Sequence, residues 1–317
     1  MKILIGYDGS KSADGALDDL KRAGLPGDSE VLVISVGDLL MNSPTDDEIT
    51  GATLTPRLAA SFKRGQNFTA SVIKEAEEFA TKAADRLRLE FPAWKVSSEV
   101  VTGKPVWELI DAASRSNTDL AVVGSQGRSA IGRLLLGSVS KRLSTDAGCS
   151  VRVARGTINR TDRPTRIILG VDGSPAAEQA IYAVAQRVWD DGSEVKLISV
   201  DDNTPVPARI STFLPQATEM VHGYFQKREA RVRSMLDWAT GELGHTGLKT
   251  SVLIKKGHAS KVLMAEARKW NADSIFVGTR DFYSAFERFR LGSVSTAVVT
   301  NAHCTVEIVR PFPEGQE

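Results

Sequence analysis

Two cysteines in 317 residues are too few to staple a chain of this size or to build a cysteine-rich metal cluster, which points to a reducing compartment. The four histidines, His222, His245, His258 and His303, all fall in the second half and form no paired His/Asp metal set. An excess of one charge is also lacking. Lys and Arg number 40 against 39 Asp and Glu, so no global cationic field exists to hold nucleic acid. No apolar run approaches the roughly 18 residues of a membrane span, and Asp8 interrupts the N-terminus before a signal-peptide core forms. Neither a G-x4-G-K-S/T loop nor an SGGxDS pyrophosphatase-type loop occurs. The expectation is a globular, cytoplasmic protein with no nucleic acid and no membrane among its partners. Its 25% charged and 42% hydrophobic residues are ordinary for that class, and the length suits two domains.

What the chain does have is a repeat. KILIGYDGS at 2–10 is answered by RIILGVDGS at 166–174, so that Asp8 and Asp172 lie 164 residues apart. Val36 in VLVISVGD and Val200 in VKLISVDD keep the same separation of 164. Gly103 and Gly257, and Gly124 and Gly278, are 154 apart, so the first copy carries about ten more residues between its second and third strands. LGSVS at 136–140 and LGSVS at 291–295 are 155 apart, as are Cys149 and Cys304. Landmarks in one shared order imply a duplicated domain, 1–155 and 165–311, joined by the polar linker RGTINRTDRP at 155–164.

Each copy alternates short Val/Ile/Leu runs with helical periodicity, which calls for a parallel sheet covered by helices. In the first copy the runs are KILIGY, VLVISV, KVSSEVV, DLAVVG and SVRVA. Val72, Ala76, Phe79, Ala80, Ala83 and Leu87 share one helical face, as do Val232, Met235, Leu236, Ala239 and Leu243. Ser174 followed by Pro175 reads as a helix start. Five strands and four helices per copy give two tandem doubly wound α/β domains. In such domains ligands bind outside the carboxyl ends of the strands, where the strand order reverses.

The loops expected at that end carry the unusual chemistry. After the fourth strand the first copy reads Gly124, two residues, Gly127, nine residues, Gly137 and Ser138. Gly127 lets the backbone approach a ligand, while Gly137 and Ser138 open a helix whose free amides and positive dipole end favour an anion. The hydroxyls of Ser138 and Ser140 are expected to donate to phosphate oxygens, and Arg128 and Arg133 to screen charge. Asp8, after the first strand, offers an acceptor for a ribose or an adenine amino group; it serves equally well as a turn residue. Val36 and Val200 offer apolar surface for a base, or are core valines.

The DGS turn, the G-x2-G-x9-G-S loop and the Cys that opens CSVRVA resemble the universal stress protein family, and the whole chain resembles a tandem member of it. The resemblance implies an adenine nucleotide alpha hydrolase-like fold, with the two fifth strands paired across a pseudo-twofold axis as an internal dimer. A further homodimer is open, and protein partners are unknown. The first copy fits the ATP-binding branch. By that resemblance Asp8 and Val36 contact adenosine, Gly124 and Gly127 line ribose and phosphate, and Gly137, Ser138 and Val139 bind phosphates. ATP, or AMP or ADP, is the implied ligand, with Mg2+ accompanying it. The second copy departs from the pattern: Asp281 stands in place of Gly127, and ten residues precede Gly292. That carboxylate opposes a triphosphate, whereas Arg280, Arg288 and Arg290 either offset it or are simply solvated. Asp172, Val200, Gly278, Gly292 and Ser293 remain for a weakened adenosine or AMP pocket.

No general base is evident near Ser138, so the reading is a nucleotide-dependent stress regulator. Slow ATP hydrolysis or self-phosphorylation is one alternative, and a nucleotide-free interaction scaffold is another. Cys149 and Cys304 read as small buried strand residues, His258 as a loop residue near the second pocket, and the acidic run Asp46 to Glu48 as a solvated part of a 40–68 insert.

Overall fold

A computed structural model describes residues 1–38, 56–128, 136–155, 163–201, 215–279 and 291–311, with 56–67 and 215–225 described as backbone alone. The first half contains β1 (Lys2–Gly6), α1 (Lys11–Asp19), β2 (Glu30–Gly37), α2 (Pro56–Glu90), β3 (Lys95–Thr102), α3 (Pro105–Arg115), β4 (Leu120–Gly124), α4 (Ser138–Asp146) and β5 (Ser150–Ala154). The second contains β6 (Arg166–Gly170), α5 (Pro175–Ala185), β7 (Glu194–Asp201), α6 (Pro215–Gly244), β8 (Lys249–Lys256), α7 (Ala259–Trp270), β9 (Ser274–Gly278), α8 (Ser293–Asn301) and β10 (Thr305–Val309). The apolar runs thus become strands with ends within about two residues of those expected. α2 is longer than its 72–87 apolar stripe indicates, because the latter part of the 40–68 stretch is its first turns. Asp46, Asp47 and Glu48 lie outside the described residues.

One ten-stranded sheet runs through the molecule in the order β3-β2-β1-β4-β5-β10-β9-β6-β7-β8. Neighbours within each half are parallel, and β5 meets β10 antiparallel. The strand order reverses between β1 and β4, which opens a crevice at their carboxyl ends. On one face of the sheet a single core runs across both halves, from Leu109 and Leu143 to Leu263 and Val298. On the other face the cores are separate, one around Leu17 and Leu87 and one around Ile181 and Leu236.

The join is built on charge as well as apolar surface. Val306 pairs with Val153, Glu307 with Arg152 and Ile308 with Val151, so the pseudo-twofold axis passes between Arg152 and Glu307. Both are fully buried: Arg152 is 0% and Glu307 1% exposed. Arg152 reaches Glu307 at 3.0 Å and Asp19 at 2.5 Å, and Glu307 is held from its other side by Arg187. Further out the halves cap each other. Arg155 donates to the carbonyls of Val299, Thr300 and Ala302 at the end of α8. Arg310, its equivalent, donates to those of Ser144, Thr145 and Cys149 around the end of α4. A guanidinium suits a helix C-terminus, where carbonyls lack partners and the dipole is negative.

Candidate functional site

The Asp8 turn is set by its own sequence. The Tyr7 amide still donates to the Ile34 carbonyl at 2.9 Å, continuing the ladder one residue past β1. Asp8 Oδ1 then accepts the Ser10 amide at 3.0 Å, and Ser10 Oγ accepts the Ala13 amide at 3.1 Å as the N-cap of α1. Gly9, between them, has φ +73°, the left-handed region that favours glycine. The other Asp8 oxygen, Oδ2, faces the loop after β4: a Cβ on Gly127 would lie 3.2 Å from it. Gly127 is not among the positive-φ glycines. Its lack of a side chain matters here for close approach to Asp8 rather than for backbone freedom.

The loop after β4 is tied to the start of α1. Ser12 Oγ accepts the Gln126 amide at 3.1 Å and lies 3.4 Å from Ser125 Oγ. Gly124 sits under this contact so closely that a Cβ would meet the Ser12 backbone at 2.6 Å. The Gly137 amide returns to the Ser125 carbonyl at 2.8 Å, which brings the N-terminus of α4 against the turn. Gly137 is the N-cap, with φ −62° and ψ 154° and no side chain to cap with. The first helical bond runs from Lys141 to Gly137 at 2.9 Å, so the amides of Ser138, Val139 and Ser140 precede the helical ladder. Asp8, Gly127, Gly137, Ser138 and Val139 therefore converge at one end of the sheet. Val36 lies two residues beyond Ile34, the register partner of Gly6, just as Asp8 lies two beyond Gly6. It is partly buried against the core.

Two expectations change. The Ser140 hydroxyl is not a phosphate donor: it is buried, 3% exposed, and donates to the Gly124 carbonyl at 2.6 Å, fixing α4 to the end of β4. Its equivalent Ser295 does the same to Gly278 at 2.9 Å. Arg128 is not a free screening charge. It makes a two-point contact with Glu75 of α2, at 2.9 and 2.7 Å, and its guanidinium lies over the Phe79 ring at 5.2 Å. That guanidinium holds the Glu75 carboxyl below its usual range. Phe79 in turn packs on Gly9, where a Cβ would come within 2.5 Å of the ring. Arg133 lies outside the described residues.

The second half repeats the frame without the Ser12 hydroxyl. Ser174 donates its amide to Asp172 at 3.0 Å and caps α5 through its hydroxyl. Gly292 caps α8 with the backbone angles of Gly137, and Ser293 is exposed at its first turn. Val200 is 7% exposed and belongs to the core. The residue at the position of Ser12 is Ala176, which has no hydroxyl for the following loop; a Cβ on Gly278 would meet its carbonyl oxygen at 2.2 Å. Asp281, Arg280, Arg288 and Arg290 lie outside the described residues. His258 is exposed at the N-cap position of α7. Cys149 and Cys304 are buried just ahead of β5 and β10, and burial pushes both thiols up, Cys304 to about 12.

Sequence reading missed Ser12 and the Glu75, Phe79 and Arg128 clamp. Ser12 lies inside α1 with no distinguishing motif, and Glu75 and Arg128 are 53 residues apart.

The sequence model of the universal stress protein family matches this chain twice, over residues 1–155 and 164–310. The chain belongs to the universal stress protein family. A universal stress protein of Mycolicibacterium smegmatis is 26% identical over 325 residues, covering 98% of this chain and 97% of that one, so both have the tandem arrangement. A universal stress protein of Mycobacterium tuberculosis is 31% identical over 151 residues, covering 43% of this chain and 48% of its own length. The chain thus spans about half the length of such curated relatives. Among solved structures, a universal stress protein from Archaeoglobus fulgidus superposes with a TM-score of 0.65 at 22% identity, covering 98% of each chain. It shares the fold. Among the described residues no helix is long and apolar enough to cross a membrane.

Proposed function

We propose that this tandem universal stress protein binds ATP, or a related adenine nucleotide, in its first half. In this reading it acts as a stress-response regulator through nucleotide-dependent conformation or partner binding rather than through fast turnover. The observation that carries the reading is the close approach of Gly127 to Asp8 beside the α4 N-terminus, where a Cβ on Gly127 would lie 3.2 Å from Asp8 Oδ2. The Ser138 and Val139 amides suit phosphate oxygens, and the Asp8 carboxylate suits a hydroxyl or amino donor of the nucleoside. Val36 offers the base an apolar contact. A nucleotide brings its own charge to the site, and Mg2+ would arrive with the phosphates. Among the described residues there is no group of three or more His, Cys, Asp or Glu that could hold a metal ion, and Mg2+ is commonly bound by one or two carboxylates plus phosphates.

The second half is proposed as a weakened or empty nucleotide site. Ala176 in place of Ser12 removes the hydrogen bond that orders the loop after the fourth strand, and Asp281 adds charge against a triphosphate. The test is a Gly127→Val variant titrated with MgATP. Loss of binding with an unchanged unfolding midpoint supports the assignment, and unchanged affinity overturns it.

A further inference from the structure

Asp119 and Asp273 are repeat equivalents that precede β4 and β9, and their surroundings differ in one respect. Each accepts the leading amide of a first strand: Lys2 donates to Asp119 at 2.7 Å, and Arg166 to Asp273 at 2.8 Å. Asp273 also receives two guanidinium groups. Arg22, just past α1, reaches it at 3.1 Å, and Arg163 of the linker makes a two-point contact at 3.0 and 2.9 Å. Across the pseudo-twofold axis the position of Arg22 is Gln186, and the linker that carries Arg163 leads into the second half. Among the described residues no Lys or Arg side chain is paired with Asp119. In place of those two guanidiniums there is a cavity of about 410 Å³ between the halves, lined by Asp119, Tyr182, Gln186, Arg187, Glu307 and Arg310 among others.

The two arginines of that cavity are already engaged. Arg187 is paired with Glu307 and also donates to the Ala23 carbonyl at 2.8 Å. Arg310 is taken up by the three carbonyls around the end of α4. Among the described residues Asp119 is the acidic group of the cavity with no ion pair to a cation, although Met1, which carries the amino terminus, also lines the cavity. A carboxylate and a planar guanidinium match through paired N–H donors, the arrangement that Arg163 and Asp273 already show in the other half.

We propose that the cavity beside Asp119 is a small-molecule site for a guanidinium compound, which would occupy the place that Arg22 and Arg163 fill in the second half. This site is separate from the nucleotide site, since it lies at the opposite ends of β1 and β4, before Lys2 and Leu120. The cavity faces the join between the halves, so a ligand there would bridge them.

The experiment titrates the full chain with agmatine and, in parallel, with putrescine, which has an ammonium in place of the guanidinium. The expected result is saturable one-to-one binding of agmatine, at least tenfold weaker binding of putrescine, and at least tenfold weaker agmatine binding by an Asp119→Asn variant. The Asn carbonyl can still accept the Lys2 amide. A Gln186→Arg variant supplies the group from within, so it is expected to lose agmatine binding and to raise the unfolding midpoint of the ligand-free chain. Absence of agmatine binding at millimolar concentration overturns the proposal, as does binding that both variants retain. Equal binding of putrescine overturns the guanidinium assignment.

Discussion

Arg152 and Glu307 occupy the same position of the two repeats, 155 residues apart, and face each other across the pseudo-twofold axis. At such a position two identical halves would bring like to like: Arg against Arg, or Glu against Glu, without water. Opposite charges at one repeat position make the halves complementary to each other and not to themselves. Their neighbours follow the same asymmetry, with Asp19 beside Arg152 and Arg187 beside Glu307.

Removing one member of this network leaves a buried charge uncompensated, which typically costs about 3–5 kcal/mol. Glu307→Gln is expected to lower the unfolding free energy of the full chain by about that amount in denaturant titration. Exchanging the pair, Arg152→Glu with Glu307→Arg, is expected not to restore it, because Asp19 and Arg187 would then face like charges. Full recovery in the exchanged variant would show that the flanking groups do not matter.

The glycines of the proposed nucleotide loop and its counterpart separate into two kinds. A methyl group on Gly124 or Gly278 runs into helix backbone at 2.6 or 2.2 Å, so Gly124→Ala and Gly278→Ala are expected to lower stability by about 1–3 kcal/mol whatever ligand is present. A methyl on Gly127 meets only the Asp8 carboxylate at 3.2 Å, so Gly127→Ala is expected to keep the unfolding midpoint and weaken nucleotide binding. Thermal unfolding and titration of the three variants side by side check the division.

Ser12 Oγ ties the loop after β4, and its equivalent Ala176 has no hydroxyl to do the same. A net hydrogen bond is worth about 1 kcal/mol, so Ser12→Ala should weaken nucleotide affinity about fivefold. Calorimetric titration measures it, and unchanged affinity would remove Ser12 from the account of why the halves differ.

Burial sets the behaviour of the thiols with pH. Cys304 is pushed to about 12 from an ordinary 9.0, so its contribution to stability is fully present below pH 9 and is lost as pH rises from there through 12. The difference in unfolding free energy between the native chain and a Cys304→Ala variant should therefore shrink from the side of the native chain over that window. At pH 8 iodoacetamide should label neither Cys149 nor Cys304 in the folded protein and both after denaturation. Fast native labelling of Cys304 would contradict its burial.

The repeat and the ten strands were legible because apolar runs and landmark residues carry them directly, whereas the pairing of the fifth strands was implied by the family resemblance. Gly137 as a helix start was legible for the same reason, since LGSVS recurs. Contacts that join distant segments were not. Glu75 and Arg128 meet only once α2 is laid over the crevice, and nothing local marks either as a partner. Ser140 looked like a ligand donor because a serine near a helix N-terminus often is one. Its rotation inward to the Gly124 carbonyl is set by how α4 packs on β4. A lone charge in a short apolar strand, as in SVRVA and TVEIV, suggests a solvent-facing position, and only the pairing of the two strands shows that both are buried.

The central claim is an asymmetric pair of sites on a symmetric frame. Its most direct test is the stoichiometry of MgATP binding to the full chain by isothermal titration calorimetry, after any nucleotide carried through purification has been stripped. One nucleotide per chain, lost in Gly127→Val and retained when Asp281 is replaced by Ala, is the predicted result. Two per chain would contradict the asymmetry, and none would contradict the nucleotide site itself.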